Sequence, residues 1–167
     1  STQRFVNLPD IMDGGEFYRF KQIRDQSAIT QYETDRFESG DWTYWPDYAL
    51  RNGQAQHHNI SVSGASDKTS FYISGGLYDV QGLTVNDEYL RVTTRVNLET
   101  QIFDWLTYGT RTQLAYEDQS GVQADISEVF AAHPLGEVYD VNGNLTLHPV
   151  PYDPQKGNPL ASTLYND

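Results

Sequence analysis

The chain has 167 residues, with 11 lysines and arginines against 23 acidic residues, a net charge of -12 at pH 7, and no cysteine. The acidic balance argues against nucleic-acid binding, which needs a basic surface. The missing thiols exclude a disulfide framework and a thiolate metal site. No apolar run approaches about 18 residues, so the sequence predicts no transmembrane helix.

A short helix is predicted near the amino terminus, because Asp13 and Glu16 have the spacing of a capping box. The densest aromatic cluster of the chain follows this helix and consists of Trp42, Tyr44, Trp45 and Tyr48. These rings are candidates for a platform that stacks on sugar rings or contacts a partner. The other interpretation, which we favour, is a small loop core or a membrane-interface anchor.

Four segments in the middle of the chain alternate apolar and polar residues at the period of a β-strand. They predict strands near 57–64, 70–78, 89–99 and 105–117. One face is apolar; the other carries Tyr72, Tyr78, Arg91, Arg95, Arg111 and Gln113. Arginines and amides in mid-strand are costly in a dry core, so the second face must meet water or a polar lumen. Both a soluble sheet with one wet face and the wall of a membrane barrel satisfy this requirement.

The lengths of the connections bear on these two alternatives. Successive antiparallel strands put alternate connections at opposite ends of a sheet. The short connections 64–69 and 99–104 fall at one end, and the longer segments 1–56, 79–88 and 118–167 fall at the other. Outer-membrane barrels have this asymmetry, with short periplasmic turns and long extracellular loops.

The last third of the chain predicts a second short helix and a hairpin. Asp125 and Glu128 repeat the capping pattern, and Asn142-Gly143 is typical of a type I′ hairpin turn. The histidines lack metal-ligand spacing, and the sequence has no phosphate loop, dinucleotide fingerprint or nucleophile elbow. The sequence therefore predicts no metal site, no cofactor and no enzymatic activity.

Several segments carry a family resemblance in their order and spacing. They are P-D-I-M-D-G-G-E-F (9–17), N-I-S-V-S-G-A-S-D-K-T-S-F-Y-I-S-G-G-L-Y-D-V-Q-G (59–82), Y-L-R-V-T-T-R-V-N-L (89–98), D-W-L-T-Y-G-T (104–110) and G-N-P-L-A (157–161). Together they resemble the first part of the barrel in SusC/RagA-family TonB-dependent outer-membrane transporters. The resemblance covers nearly the whole chain.

The resemblance implies an all-β fold, in which antiparallel strands form part of a large transmembrane β-barrel with two short helices in long loops. It implies an extracellular loop region with a short helix at 1–56 and four barrel strands at 57–117. A second extracellular loop region, with a short helix and a hairpin, is expected at 118–167. A barrel needs at least about eight strands, so we expect the chain to be an internal piece of a longer protein.

The resemblance also implies a function: uptake of oligosaccharides or, in some members, peptides across the outer membrane of a Gram-negative, Bacteroidetes-like bacterium. The implied partners are the lipid bilayer, a SusD-like surface lipoprotein, and TonB acting through parts absent from this chain. The lumen-facing candidates for contact with substrate or with the plug are Tyr72, Tyr78, Arg91, Arg95, Arg111 and Gln113. The alternative function is a soluble secreted β-sandwich that binds carbohydrate through Trp42, Tyr44 and Trp45.

Overall fold

The computed structural model describes residues 1–119 and 121–164. Ser120 and residues 165–167, which belong to the predicted region 118–167, lie outside the described residues. Contacts divide the chain into a sheet unit (1–3, 53–82 and 88–119) and a loop unit (4–52, 83–87 and 121–164).

The sheet unit is one antiparallel sheet with the strand order β1-β2-β3-β4-β5. The strands are β1 Thr2–Gln3, β2 Gly53–Ala65, β3 Thr69–Gln81, β4 Glu88–Phe103 and β5 Leu106–Asp118. The four long strands are the predicted ones, so the expected fold class of antiparallel strands with short helices is confirmed. The sequence does not predict β1, because two residues are too few to show an alternation.

The pairing register fixes which side chains share a face of the sheet. Tyr72 pairs with Asn97 on β4, and the next residue, Ile73, pairs with Val96 on β4 and Val62 on β2. Directly paired residues point to the same side of a sheet. The predicted separation into a polar face and an apolar face is therefore present, and the apolar face is open, with Ile60 77% exposed.

The two shortest connections lie at the same end of the sheet. Residues 66–68 join β2 to β3, and residues 104–105 join β4 to β5 after a register shift between Gln101 and Phe103. The connections from β1 to β2 and from β3 to β4, and the segment after β5, belong to the loop unit at least in part. The asymmetry that the sequence predicts is thus a feature of the fold.

The loop unit contains four short α-helices, which are α1 Gly14–Asp25, α2 Gln31–Ser39, α3 Pro46–Ala49 and α4 Ile126–Ala131. Asp13 and Glu16 form the predicted capping box on α1. On α4 the Asp125 carboxylate accepts from the backbone N–H groups of Ser127 and Glu128, but the described contacts do not include the return bond from the Glu128 side chain that a capping box needs. No helix in the described part of the chain is long and apolar enough to span a membrane.

The core of the loop unit draws on residues that are distant in the chain. It consists of Trp45, Ala49, Ala124, Val129, Val138 and Leu160. Two backbone hydrogen bonds join the connection 83–87 to the segment at the end of α3. Leu83 C=O accepts from Arg51 N–H at 2.8 Å, and Val85 N–H donates to Ala49 C=O at 2.9 Å. Asn86 has a left-handed φ of 64° and donates from its amide to Thr163 C=O at 2.8 Å.

The hairpin at 139–145 forms, but its turn differs from the predicted type I′. Tyr139 and Leu145 make the bridge. A type I′ turn needs positive φ at both central residues, whereas in the tight turn closed by Gly143 N–H to Asp140 C=O only the final Gly143 has one, at 80°. The Asp140 carboxylate accepts from the N–H groups of Asn142 and Asn144, each at 2.8 Å, and this local bonding favours the observed turn.

Candidate functional site

The polar face of the sheet brings most of the predicted site residues together. A hollow of about 450 Å³ is lined by Tyr72, Tyr78, Arg91, Arg95 and Gln113, with His57 and Asn59 from β2. Arg111 lines an adjoining hollow of about 360 Å³, which Tyr72 also lines. The six candidates that were selected for their alternation thus form one continuous surface across β3, β4 and β5.

Arg91 has an acidic partner on this face. It pairs directly with Glu117 of β5, and its Nε lies 3.2 Å from Glu117 Oε1. Both side chains are half exposed, and an ion pair between exposed groups contributes about 0 to 1 kcal/mol. The pair therefore neutralises the Arg91 charge locally without adding much to stability.

The other two arginines have neutral cross-strand neighbours. Arg95 pairs with Gln113 and donates from Nη2 to the Gln113 side-chain oxygen at 3.0 Å. Arg111 pairs with Asn97. Within residues 1–119 and 121–164, neither of these two arginines makes an ion pair. A guanidinium has five N–H donors in a planar fork, so both retain donors that can bind an incoming group.

A row of aromatic rings crosses the polar face near the connection between β3 and β4. Tyr78 packs edge to face against His57 of β2 and against Tyr89 of β4, with ring centroids 5.9 Å apart in both pairs. Tyr78 is 41% exposed, so its ring and hydroxyl are accessible on the polar face. The sequence alternation selects Tyr78, but it does not reveal that rings from three strands line up.

The predicted aromatic cluster is divided between core and surface in the loop unit. Trp45 is 1% exposed and donates from Nε1 to His133 C=O at 2.9 Å, so its ring belongs to the core. Trp42, Tyr44 and Tyr48 are partly exposed, and Tyr48 meets Tyr139 edge to face at 6.1 Å. The exposed part of the cluster thus consists of these three rings without Trp45.

A buried ionic network in the loop unit is not among the sequence predictions. Glu33 on α2 is 0% exposed, and both of its carboxylate oxygens accept from Lys21 Nζ of α1, at 2.8 and 2.9 Å. The Thr30 N–H donates to the same carboxylate at 2.8 Å. The T-Q-Y-E sequence at 30–33 is a capping box, so it was the one available signal for Glu33.

His133 and Tyr152 complete this network from a distant part of the chain. His133 Nδ1 accepts from Leu135 N–H at 3.2 Å, which leaves Nε2 as the protonated nitrogen that donates to Glu33 Oε1 at 3.3 Å. The Tyr152 hydroxyl lies 3.2 Å from the same Nε2 and also lowers the pKa of the Glu33 carboxylate. The neutral imidazole and the phenol thus shield the buried ion pair.

The network shifts the pKa values of its members. Burial opposes ionisation of Glu33, but hydrogen bonds from Lys21 and Tyr152 outweigh it and lower the pKa of Glu33 to about 2. Burial lowers the pKa of His133 below 6.5, and the facing Glu33 carboxylate offsets part of that effect. Burial and the hydrogen bond to Glu33 raise the pKa of the Tyr152 phenol. Glu33 is therefore ionised and His133 neutral at pH 7.

Among the described residues, no group of three or more histidine, aspartate or glutamate side chains is arranged to hold a metal ion.

Two TonB-dependent receptors are similar to this chain in sequence. No family model matches the chain. TonB-dependent receptor P26 of Formosa agariphila is 23% identical over 170 residues, which cover 99% of this chain and 16% of that receptor. TonB-dependent receptor P3 of the same organism is 23% identical over 159 residues, which cover 89% and 15%. The chain thus spans no more than 16% of the length of these two relatives.

A solved structure has the same fold over most of this chain. A chain of the RagAB peptide transporter matches with a TM-score of 0.60 and 20% sequence identity, over 87% of this chain and 21% of that chain. The observed sheet with its short helices therefore occurs as one part of a much longer transporter chain. The predicted resemblance to SusC/RagA-family TonB-dependent transporters is thereby confirmed, and the chain is similar to a segment of such a protein.

Proposed function

We propose that this chain supplies part of the barrel wall and the extracellular loops of a TonB-dependent transporter that imports oligosaccharides or peptides across the outer membrane. The observation that carries the proposal is a sheet of long strands with one open apolar face and one polar face. Such strands match the wall of a transmembrane barrel, which is apolar toward lipid and polar toward its lumen.

The dimensions of the apolar face agree with this role. Strands in globular proteins usually have about 5 to 6 residues, whereas β2 to β5 have 13 to 16. On β5, Tyr108 and Tyr116 stand eight residues apart on the apolar face. Eight steps of about 3.4 Å, tilted by about 40°, rise about 20 Å. An apolar band between aromatic girdles is about 25 Å tall in outer-membrane barrels.

The remaining surfaces are assigned by the same proposal. The polar face, with Arg91, Arg95 and Arg111, would line the lumen and contact either the substrate or the plug. The loop unit would lie outside the cell, and the exposed Trp42 and Tyr48 would meet a SusD-like lipoprotein or the arriving substrate. TonB would act through parts of the protein outside this chain. The RagAB transporter supports a peptide as one substrate class, and the family resemblance supports an oligosaccharide as the other.

The soluble β-sandwich alternative has less support. A sandwich covers its apolar face with a second sheet, and the described residues contain one sheet whose apolar face is open. Its carbohydrate site was assigned to Trp42, Tyr44 and Trp45. Trp45 is buried in the loop core and offers no face for stacking on a sugar.

Neighbouring substitutions on β2 test the proposal in the full-length protein. Val62 pairs with Ile73 near the middle of the apolar band, and Ser61 pairs with Ser74 on the polar face. Val62→Arg should cost about 2 to 4 kcal/mol at the bilayer midplane and reduce the folded barrel in outer-membrane fractions. The matched control Ser61→Arg should assemble normally, because its side chain would face water. Equal assembly of the two variants would contradict a lipid-facing apolar side.

A further inference from the structure

We propose that Arg95 and Arg111 form a binding site for an oxyanion, a carboxylate or a sulfate group, on the polar face of the sheet. The inference rests on the proposed function in one respect, namely that this face lines the lumen of an assembled barrel. It goes beyond that function by naming the chemical group that the wall recognises. It also separates these two arginines from Arg91.

The register brings the two guanidinium groups to one place. Arg95 on β4 faces Gln113 on β5, and Arg111 on β5 faces Asn97 on β4. The two arginines are therefore diagonal neighbours on one face, where Cα atoms lie about 7 to 8 Å apart, within reach of long side chains. With Asn97, Thr112 and Gln113 they line a hollow of about 310 Å³. Two cationic forks thus converge on a space that is large enough for a small anionic group.

The charges around this hollow are not balanced within the sheet. The polar face of β4 and β5 carries three arginines and two glutamates, Glu99 and Glu117. Glu117 forms an ion pair with Arg91, in which Glu117 Oε1 lies 3.2 Å from Arg91 Nε. Glu99 is a diagonal neighbour of Arg111, but it forms no ion pair with Arg111 among the described residues. In the described part of the chain, Arg95 and Arg111 therefore form no ion pair with either glutamate of this face, and the face keeps a net positive charge.

The chemistry of the site selects an oxyanion. Guanidinium groups bind carboxylate and sulfate-like oxygens in a planar, often bidentate geometry. The nearby Tyr72 hydroxyl and Asn97 amide, which lie on the same face, add neutral donors. A cationic ligand would be repelled, and a neutral ligand that excluded water would leave two charges without a partner. The shared chemistry has two sources: an acidic group on the cargo, or an acidic side chain from another part of the same protein inside the barrel.

Arginine-specific labelling of the full-length transporter in detergent tests the proposal. Phenylglyoxal would be applied in sodium chloride or in sodium sulfate at equal ionic strength, and peptide mass spectrometry would report modification at each arginine. If the site is open to cargo, sulfate at about ten times its dissociation constant should slow modification of Arg95 and Arg111 about tenfold. Arg91, which already has a partner, is the internal control and should react equally in both salts.

The second source gives a different result in the same experiment. If an acidic side chain of the protein occupies the site, Arg95 and Arg111 should resist phenylglyoxal in both salts. The double variant Arg95→Gln/Arg111→Gln should then speed hydrogen exchange in the part of the protein that fills the barrel, and Arg91→Gln should not. Equally fast reaction of Arg95 and Arg111 in both salts would overturn the proposal, as would resistance in both salts without faster exchange in the double variant. A barrel that passes the Val62 and Ser61 test but fails this one would refute the oxyanion site alone.

Discussion

Removing the Glu33 carboxylate should loosen the loop unit more than removing any exposed acid from the same helix. Glu33 is fully buried, and its two oxygens receive Lys21 Nζ, the Thr30 N–H and His133 Nε2. Glu33→Ala leaves the Lys21 ammonium without its anion and opens the cap of α2. Glu38→Ala is the matched control, because Glu38 is exposed on the same helix.

The magnitude follows from the burial of the Glu33–Lys21 ion pair. Breaking a buried ion pair by removing one partner costs about 3 to 5 kcal/mol. The Lys21 side chain is 21% exposed and keeps Ala28 C=O as an acceptor at 2.8 Å, which places the cost at the lower end of that range. The Glu33 pKa, lowered from 4.5 to about 2, agrees in direction, because the folded state favours the ionised carboxylate. The expected loss is therefore about 3 kcal/mol.

Hydrogen exchange measured by mass spectrometry on the full-length transporter reports this local stability. Since about 1.4 kcal/mol is a factor of ten, a loss of about 3 kcal/mol should speed exchange in α1 and α2 about a hundredfold for Glu33→Ala. Glu38→Ala should change the exchange rate of these helices little. Equal exchange rates in the two variants would show that the buried network does not hold α1 against α2.

Two further predictions concern the loop unit. The contribution of ionised Glu33 to the stability of the loop unit is complete above about pH 4.5 and is lost as the pH falls toward about 2. Burial lowers the pKa of His133, so the stability that depends on its neutral form is lost as the pH falls below about 6.5. Thermal melting followed by tryptophan fluorescence should therefore show stability declining from about pH 6.5 downward, and His133→Asn should remove the first step; a stability independent of pH between 7 and 4 would contradict this. Trp45→Ala should cost about 3 to 5 kcal/mol of loop-unit stability, whereas Trp42→Ala should cost less and weaken substrate capture or lipoprotein binding; equal losses of stability would contradict the division of this cluster between core and surface.

The sequence reveals the strands because their alternation has a period of two over many residues. Residues such as Val62 and Arg95 could be placed on the correct faces without coordinates, since pairing in an antiparallel sheet preserves the alternation. Helix α1 was also predictable, because its capping box lies within one turn. Local chemistry thus accounts for the sheet and for both predicted helix starts.

The loop unit is less accessible from the sequence because long-range contacts determine it. Glu33 and His133 are 100 residues apart in the chain, and no periodic pattern links them. The T-Q-Y-E capping box at 30–33 marks α2, but nothing local indicates that its glutamate is buried. Trp42 and Trp45 likewise lie three residues apart in one aromatic segment, and only the fold distinguishes the core ring from the exposed one.

Cysteine accessibility on intact cells tests the central claim most directly, since the chain itself has no cysteine to react. Ser66 lies in the short turn between β2 and β3, and Asn142 lies in the exposed hairpin of the loop unit. If the chain is part of a barrel with short turns in the periplasm, Asn142→Cys should react with a membrane-impermeant thiol reagent, and Ser66→Cys should react only after the outer membrane is broken. Reaction at Ser66→Cys on intact cells, with protection at Asn142→Cys, would contradict the account.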